Sequence, residues 1–306
     1  MRIHLCSSIA AILIAVMVFS ACTTVPSSTP TIQPTATSIP TPTVPTPTPT
    51  PEIAKLSKPP ELILANDKPF EQAGWPNVIY TIPETDEVLL ASELPFCNDL
   101  KADIYYPPNY NFESRLPVVI FSVGFADVAG TFDKDMTGFV DWAKLIAASG
   151  MIGVAAQAGS TPDITLFCLL DFLAANADQL GVDMTRIGFM AWSSQGGPAF
   201  AALADQTLPY RSGFKAAAFL YLDFAFAEPA QWPEKLSLFV VKAGKDKNIS
   251  GTKMDNFVEK ARSSNIPTEY IELPNAPHGF DSMQNTQTNK DVIVKILEFF
   301  KSTLLQ

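Results

Sequence analysis

The sequence has few of the residues that metal centres and nucleic-acid interfaces require. It contains 2 histidines, His4 and His278, and 4 cysteines. These residues do not cluster at the spacing of zinc ligands. No stretch is rich in lysine or arginine, and the formal net charge is −10 at pH 7. Because nucleic acids are bound through basic patches, the composition argues against a nucleic-acid partner, and we predict no bound metal and no cofactor.

The chain also lacks internal repeats and, beyond its N-terminal region, a second change in composition. Of its 306 residues, 47% are hydrophobic and 17% are charged, which is typical of a globular protein with a sizeable core. The sequence therefore predicts one domain of enzyme size over residues 61–306.

The first residues have the pattern of an export signal. Arg2 precedes an apolar run, and small residues precede Cys22. The run is short for a membrane-spanning helix, which needs about 20 apolar residues. The tetrapeptide Phe-Ser-Ala-Cys over residues 19–22 resembles a bacterial lipobox. We therefore predict a lipoprotein signal peptide over 1–21, a lipid anchor on Cys22 and an extracytoplasmic location, at the cell surface or facing a periplasm.

Residues 22–60 are dominated by proline and threonine and show no hydrophobic periodicity. Such a segment cannot bury a core, so we predict a disordered linker. Proline-rich chain rises about 3.1 Å per residue, so this linker could hold a domain roughly 100 Å from a membrane. Within the predicted domain the cysteines are Cys97 and Cys168, which could form a disulfide or remain two buried thiols, and we favour the thiols.

From residue 61 onward, apolar strands alternate with helical patterns. This alternation predicts an α/β fold, a mainly parallel sheet flanked by helices on both faces. The predicted strands are 101–108, 116–125, 151–159, 186–192, 215–222, 236–243 and 267–273. The predicted helices are 138–150, 160–181, 194–206, 251–264 and 287–304. The short stretch between the strands 215–222 and 236–243 leaves no room for a large lid domain.

Reactive side chains follow several of these strands at their carboxyl ends, where ligands bind to such sheets. Ser193 and Ser194 follow strand 186–192, Asp246 follows strand 236–243, and His278 comes after strand 267–273. This is the chain order serine, acid, histidine of a hydrolase triad. His278 is the only imidazole outside the predicted signal, and imidazole has the pKa that a general base needs near neutral pH.

Segment 100–304 resembles the α/β-hydrolase superfamily, most closely bacterial esterases related to dienelactone hydrolase. The resemblance is carried by "DIYYPP", "PVVIFSVGF", "RIGFMAWSSQGG", "VVKAGKDKNI" and "NAPHGFD", which occur in the order of that family. It implies a serine hydrolase, a carboxylesterase or a dienelactone-hydrolase-like enzyme, that acts on a small-molecule ester.

The serine turn departs from the family motif Gly-x-Ser-x-Gly, whose flanking positions are small. If Ser193 is the nucleophile, the residue two positions after it is Gln195. If Ser194 is, the residue two positions before it is Trp192. An indole at that position would crowd the turn, whereas Gln195 could turn outward. We therefore assign Ser193 as the catalytic nucleophile and keep Ser194 as the alternative.

The remaining roles follow from the resemblance. Asp246 would orient His278 and stabilise its charged form, with Asp223 as the alternative acid. The oxyanion hole would use the backbone N–H groups of Phe125 and Ser194.

These assignments predict a membrane-tethered, extracytoplasmic serine hydrolase that cleaves a small or medium carboxylic ester through an acyl-enzyme. The alternative is a catalytically disabled hydrolase fold that serves as a binding lipoprotein, which the irregular serine turn would favour.

Overall fold

The computed structural model describes residues 52–69, 76–122, 134–159, 161–222 and 231–306. These residues contain nine strands and seven α-helices. The strands are β1 (Ile63–Leu64), β2 (Leu89–Cys97), β3 (Leu100–Tyr106), β4 (Leu116–Phe121), β5 (Ile152–Ala156), β6 (Val182–Trp192), β7 (Phe214–Leu220), β8 (Ser237–Ala243) and β9 (Thr268–Leu273). The helices are α1 (Thr137–Ala148), α2 (Pro162–Ala175), α3 (Ala177–Leu180), α4 (Gly196–Ala204), α5 (Gly251–Ser263), α6 (Phe280–Met283) and α7 (Gln287–Leu304).

The nine described strands form a single sheet in the order β1-β2-β3-β5-β4-β6-β7-β8-β9. Pairing is antiparallel from β1 to β5 and parallel from β5 through β4 and β6 to β9. Strands β4, β5 and β7 are buried along almost their whole length, as apolar strands covered on both faces should be. The predicted fold class, a mainly parallel sheet flanked by helices, is confirmed.

Helices cover both faces of the sheet and bury two apolar clusters. One cluster takes side chains from α2, α4 and α5, among them Leu169, Phe200 and Phe257. The other takes side chains from α1 and α7, among them Trp142 and Phe300. Each fully buried side chain of this size contributes about 1.5–3 kcal/mol of hydrophobic stabilisation. The two clusters hold the carboxyl ends of the parallel strands in fixed positions.

The predicted helix 160–181 is divided in two at Asn176. This side chain is 1% exposed and donates hydrogen bonds to the carbonyl oxygens of Phe172 and Ala54. Its Oδ1 accepts a hydrogen bond from the N–H of Leu56, at 2.7 Å. Asn176 thus holds the incoming chain, and helix α2 ends at Ala175.

Residues just before position 61, which composition assigned to the linker, contact the folded domain. Ile53 forms an antiparallel bridge with Cys97, and the Asn176 bonds fix Ala54 and Leu56. All described residues belong to one compact unit. These contacts provide hydrogen-bond partners for backbone groups of residues 53–56. Amino-acid composition does not indicate such partners.

The structure pairs Cys97 and Cys168 as a disulfide, with the two Cα atoms 5.8 Å apart. Both cysteines are 3% exposed. The bond joins the end of β2 to α2, beside the segment that Asn176 holds. Of the two alternatives, the structure has the disulfide, so the favoured expectation of two buried thiols is wrong.

No helix in the described ranges is both long and apolar enough to cross a bilayer. The predicted signal peptide 1–21, the lipidation site Cys22 and the linker up to residue 51 lie outside the described residues.

Candidate active site

Three side chains predicted to form a triad lie at the carboxyl edge of the sheet. Ser193 directly follows β6, Asp246 follows β8, and His278 follows β9. The Nδ1 atom of His278 lies 2.7 Å from Oδ2 of Asp246. The Asp246 side chain is 4% exposed and that of His278 is 17% exposed. This bond directs Nδ1 to the carboxylate and leaves Nε2 of the imidazole as the nitrogen available for proton transfer.

The Asp246 carboxylate is itself held by backbone donors. Its Oδ1 accepts hydrogen bonds from the N–H groups of Asn248, at 2.7 Å, and Ile249, at 3.1 Å. One oxygen is therefore fixed by the turn after β8 while the other meets the imidazole. A carboxylate held in this way orients its histidine with little freedom to rotate.

Ser193 occupies the strained turn between β6 and α4. Its φ angle is +53°, in the left-handed region that non-glycine residues rarely adopt. Residues Ser193–Gln195 form a single turn of 3-10 helix, and α4 begins at Gly196. A strand, a sharp turn with a serine at positive φ and a helix together form the arrangement of a nucleophile elbow.

Close packing explains the glycine that opens α4. A Cβ atom at position 196 would lie 2.8 Å from Cδ2 of Leu222. Gly196 therefore lets α4 approach the chain after β7.

Ser193 and His278 share a cavity of about 340 Å³. Its described lining is completed by Met136, Trp192, Tyr221, Asn248 and Met283. Ser194 is not among these lining residues, although it is partly exposed. A larger groove of about 540 Å³ lies along residues 55–61 and β2, but no histidine lines it. The smaller cavity is therefore the one that brings a serine and an imidazole together.

The side chain of Gln195 turns inward, whereas we expected from the sequence that it could turn outward. It is fully buried, and its backbone oxygen accepts a hydrogen bond from Oγ of Ser122 at 2.8 Å. Its Oε1 accepts a longer bond, of 3.4 Å, from the N–H of Trp192. Within the described ranges, its Nε2 has no hydrogen-bond partner. The side-chain amide thus folds back onto the end of β6, while the backbone oxygen ties the turn to the residue after β4.

Tyr221 and Asp281 belong to this site, although the sequence analysis did not single them out. The Tyr221 hydroxyl donates a hydrogen bond to Oδ1 of Asp281 at 2.7 Å, and Nε1 of Trp142 donates to Oδ2 at 2.8 Å. The Tyr221 ring meets the His278 ring edge-on, with centroids 4.6 Å apart. Burial raises the pKa of the Asp281 carboxyl, and the two hydrogen bonds partly oppose that rise. In the sequence, the feature that could have pointed to Asp281 as a site residue was its position shortly after His278.

Apart from the predicted triad, a cluster of charged side chains lies where the chain enters α1. The carboxylate oxygens of Glu93, Asp103 and Asp135 lie within 4.8 Å of one another. The ammonium groups of Lys68 and Lys134 lie among them, with Lys68 Nζ 2.8 Å and Lys134 Nζ 3.0 Å from Asp135. Since two fixed cations already compensate these carboxylates, the cluster is a structural ion-pair network and not a binding site for a metal.

Two of the active-site assignments lie outside the described residues. They are the oxyanion donor Phe125 and the alternative acid Asp223. Ser194, the other predicted donor, follows Ser193 directly, at the start of the turn that leads into α4.

Solved structures of similar fold are α/β-hydrolases. MGS-M1, an α/β-hydrolase enzyme from a Medee basin deep-sea metagenome library, has a TM-score of 0.58 at 14% identity, over 72% of this chain and 99% of its own. A Rhizomucor miehei esterase has a TM-score of 0.57 at 13% identity, over 72% and 85%. Thermogutta terrifontis esterase 2 has a TM-score of 0.54 at 16% identity, over 72% and 94%. No protein-family profile and no curated protein sequence matches the chain. The chain therefore has the α/β-hydrolase fold.

Proposed function

We propose that this α/β-hydrolase-fold chain is an extracytoplasmic serine hydrolase, tethered to a bacterial membrane through Cys22, that cleaves a small or medium carboxylic ester. The observation that carries the proposal is that Ser193, held at positive φ, and His278 line the same cavity, while Asp246 Oδ2 lies 2.7 Å from Nδ1 of that histidine. These three residues supply the types of group that an activated serine uses: a nucleophile, a general base and a carboxylate that orients the base.

The reaction begins at the Ser193 hydroxyl. Its oxygen attacks the ester carbonyl carbon while Nε2 of His278 takes the hydroxyl proton. Asp246 stabilises the imidazolium that results. The carbonyl oxygen becomes an oxyanion, which the backbone N–H groups of Ser194 and Phe125 would bind.

The tetrahedral intermediate then breaks its bond to the alkoxy oxygen. His278 returns the proton to that oxygen, so the alcohol leaves and the acyl group remains on Ser193. Water attacks the acyl-enzyme with His278 again acting as base, and the carboxylic acid is released.

The size of the cavity supports a modest substrate. Ligand sites span about 300–1,000 Å³, and the cavity at Ser193, of about 340 Å³, is near the lower end of that range. Structures of Thermogutta terrifontis esterase 2 hold butyrate and propionate, and it is phosphorylated by paraoxon. Short acyl esters and organophosphorus reagents are therefore suitable first probes of this chain.

The tether and the location have separate support. The sequence before Cys22 resembles a lipoprotein signal, and the Cys97–Cys168 disulfide is typical of an oxidising compartment outside the cytosol.

The first test is labelling with a fluorophosphonate, followed by peptide mapping, on the chain from residue 49 onward. This start keeps residues 53–56, which contact the domain. We expect a covalent adduct on Ser193. An adduct on Ser194 would move the nucleophile by one position. No adduct on a demonstrably folded protein would favour the binding-lipoprotein alternative.

Substitutions then separate the roles. S193A and H278A should each lower kcat/KM for 4-nitrophenyl butyrate by about 10,000-fold or more, because the members of a triad act as a unit. S194A keeps the backbone N–H that would bind the oxyanion, so it should lose far less. Substantial residual activity in H278A would contradict the triad.

A further inference from the structure

We propose that the cavity at Ser193 selects uncharged esters and rejects substrates that carry a carboxylate. The inference rests on the proposed function and specifies the substrate class of the same site. Its basis is the charge and polarity of the groups that surround the cavity.

No lysine or arginine is among the described residues that line the cavity. Its walls are apolar or aromatic, formed by Met136, Trp192, Tyr221 and Met283. Among the described lining residues, the polar ones besides Ser193 and His278 are Asn248 and Tyr221, and the Tyr221 hydroxyl donates to Asp281. A carboxylate that entered would lose hydration without gaining a cationic partner, which is costly for a charged group.

Two buried carboxylates flank this apolar space. Asp246 lies behind His278, and Asp281 lies behind Tyr221 at 3% exposure. Among the described residues, neither carboxylate forms an ion pair with a lysine or arginine. The donors to Asp281, Trp142 and Tyr221, are both uncharged.

The nearest cations along the chain do not offset this arrangement. Lys245 and Lys247 flank Asp246 in sequence, but both are exposed and neither lines the cavity. The sequences of the segments that follow β4 and β7, residues 123–133 and 223–230, contain no lysine or arginine. The local field therefore disfavours a second negative charge near the reacting carbonyl.

The size of the effect follows from Coulomb's law. Two like charges roughly 8 Å apart at an effective dielectric of about 20 correspond to about a 30-fold change in an equilibrium constant. We expect a discrimination of that order between an anionic ester and its uncharged isostere.

Met283 is the position at which a substitution can weaken this selection. It lines the cavity and is 51% exposed, so a longer charged side chain can be accommodated there. Leu305 provides a matched control at 40% exposure. It follows Leu304, whose carbonyl accepts a hydrogen bond from Arg186, in the half of β6 remote from Ser193.

The experiment compares 4-acetoxybenzamide with 4-acetoxybenzoate, two acetate esters of equal size that differ in charge. Each kcat/KM is divided by the rate of hydroxide-catalysed hydrolysis to correct for the leaving group. The wild-type protein should prefer the amide by about 30-fold, and added salt should reduce that preference. M283K should lower the preference about tenfold, while L305K should leave it unchanged.

Equal corrected rates for the two esters in the wild type would overturn the inference and leave the hydrolase proposal intact. An unchanged preference in M283K would also overturn it. If neither ester is hydrolysed but fluorophosphonate labels Ser193, the same two molecules are compared as competitors of labelling, with the amide expected to protect better. Failure of labelling itself would instead contradict the proposed function.

Discussion

The turn after β6 contains a large buried residue where a glycine is usual. Gln195 follows Ser193 by two positions, and its amide bonds the N–H of Trp192 instead of reaching solvent. A buried donor without a partner costs about 1–3 kcal/mol, so the Nε2 atom of Gln195 carries an energetic penalty. A penalty of this kind is typical of positions at which function opposes stability.

We predict that Q195M stabilises the protein but impairs it as an enzyme. Methionine has similar volume and removes the unpaired Nε2, so the free energy of unfolding should rise by about 1 kcal/mol. It also removes the bond to Trp192, which adjoins Ser193, so kcat should fall about tenfold while KM changes little. Urea unfolding and steady-state kinetics measure the two effects.

Q206M is the matched control for this substitution. Gln206 is exposed in the loop after α4, so the same change there should alter neither stability nor kcat. A Q195M protein with full kcat would show that the amide does not position the serine.

At the scale of elements, the ion-pair network joins β2 and β3 to the segment that leads into α1. Lys134 is 1% exposed and contacts Glu93, Asp103 and Asp135. Burial opposes its charge, but the hydrogen bond to Glu93 and the other nearby carboxylates outweigh that effect and raise its pKa. Met136, which lines the cavity, follows two residues later, so the network helps to fix one wall of the site.

We predict that K134M destabilises the protein by about 3–5 kcal/mol, because it removes a buried cation from beside the buried Asp103 carboxylate. Urea unfolding of K134M measures this change. K295M, at an exposed position on α7, should change stability by no more than about 0.5 kcal/mol. Similar stability of the two variants would show that the network contributes little.

The same network predicts how stability changes in acid. Burial tends to raise the pKa of Glu93 and of Asp135, but the lysines outweigh it and lower both below the usual 4.5 and 3.8. Groups with lowered folded-state pKa stabilise the protein fully above those usual values. That contribution is lost as pH falls through the lower folded-state values. Urea unfolding between pH 7 and pH 3 should show this loss, and it should be smaller in K134M.

At the scale of the whole molecule, the segment that carries the proposed tether is fastened where it reaches the domain. Ile53 bridges Cys97, and Cys97 is bonded to Cys168 of α2. Asn176, at the end of the same helix, holds Ala54 and Leu56. A pull on the tether would therefore act on β2 and α2 and not on the carboxyl edge of the sheet.

We predict that C22S abolishes lipid attachment without affecting catalysis. In a bacterial host, the unaltered protein should incorporate an alkyne-labelled fatty acid and enter the detergent phase on phase separation. C22S should do neither, because the thiol that accepts the lipid is absent. C6S, within the predicted signal, should behave like the unaltered protein, and fatty-acid incorporation by C22S would contradict the assignment of Cys22.

Several features of the fold followed from the sequence alone. Continuous apolar runs such as 117–121 predict strands buried on both faces, and helices between them, of 9–14 residues in the structure, indicate a parallel sheet. These patterns are local, and strand order at the carboxyl edge then brings Ser193, Asp246 and His278 to one side. The sequence could therefore nominate the three residues, because topology makes neighbours of consecutive strand ends.

Only the tertiary structure decided the points that depend on contacts between distant residues. The bond from Ser122 to the backbone of Gln195, the pairing of Cys97 with Cys168 and the bond from Tyr221 to Asp281 join positions on different elements. Composition likewise could not separate residues 53–56 from the linker, because their hydrogen-bond partners lie more than a hundred residues away on Asn176. Periodicity reports which face of an element is buried, whereas a hydrogen bond or a disulfide depends on where two elements meet.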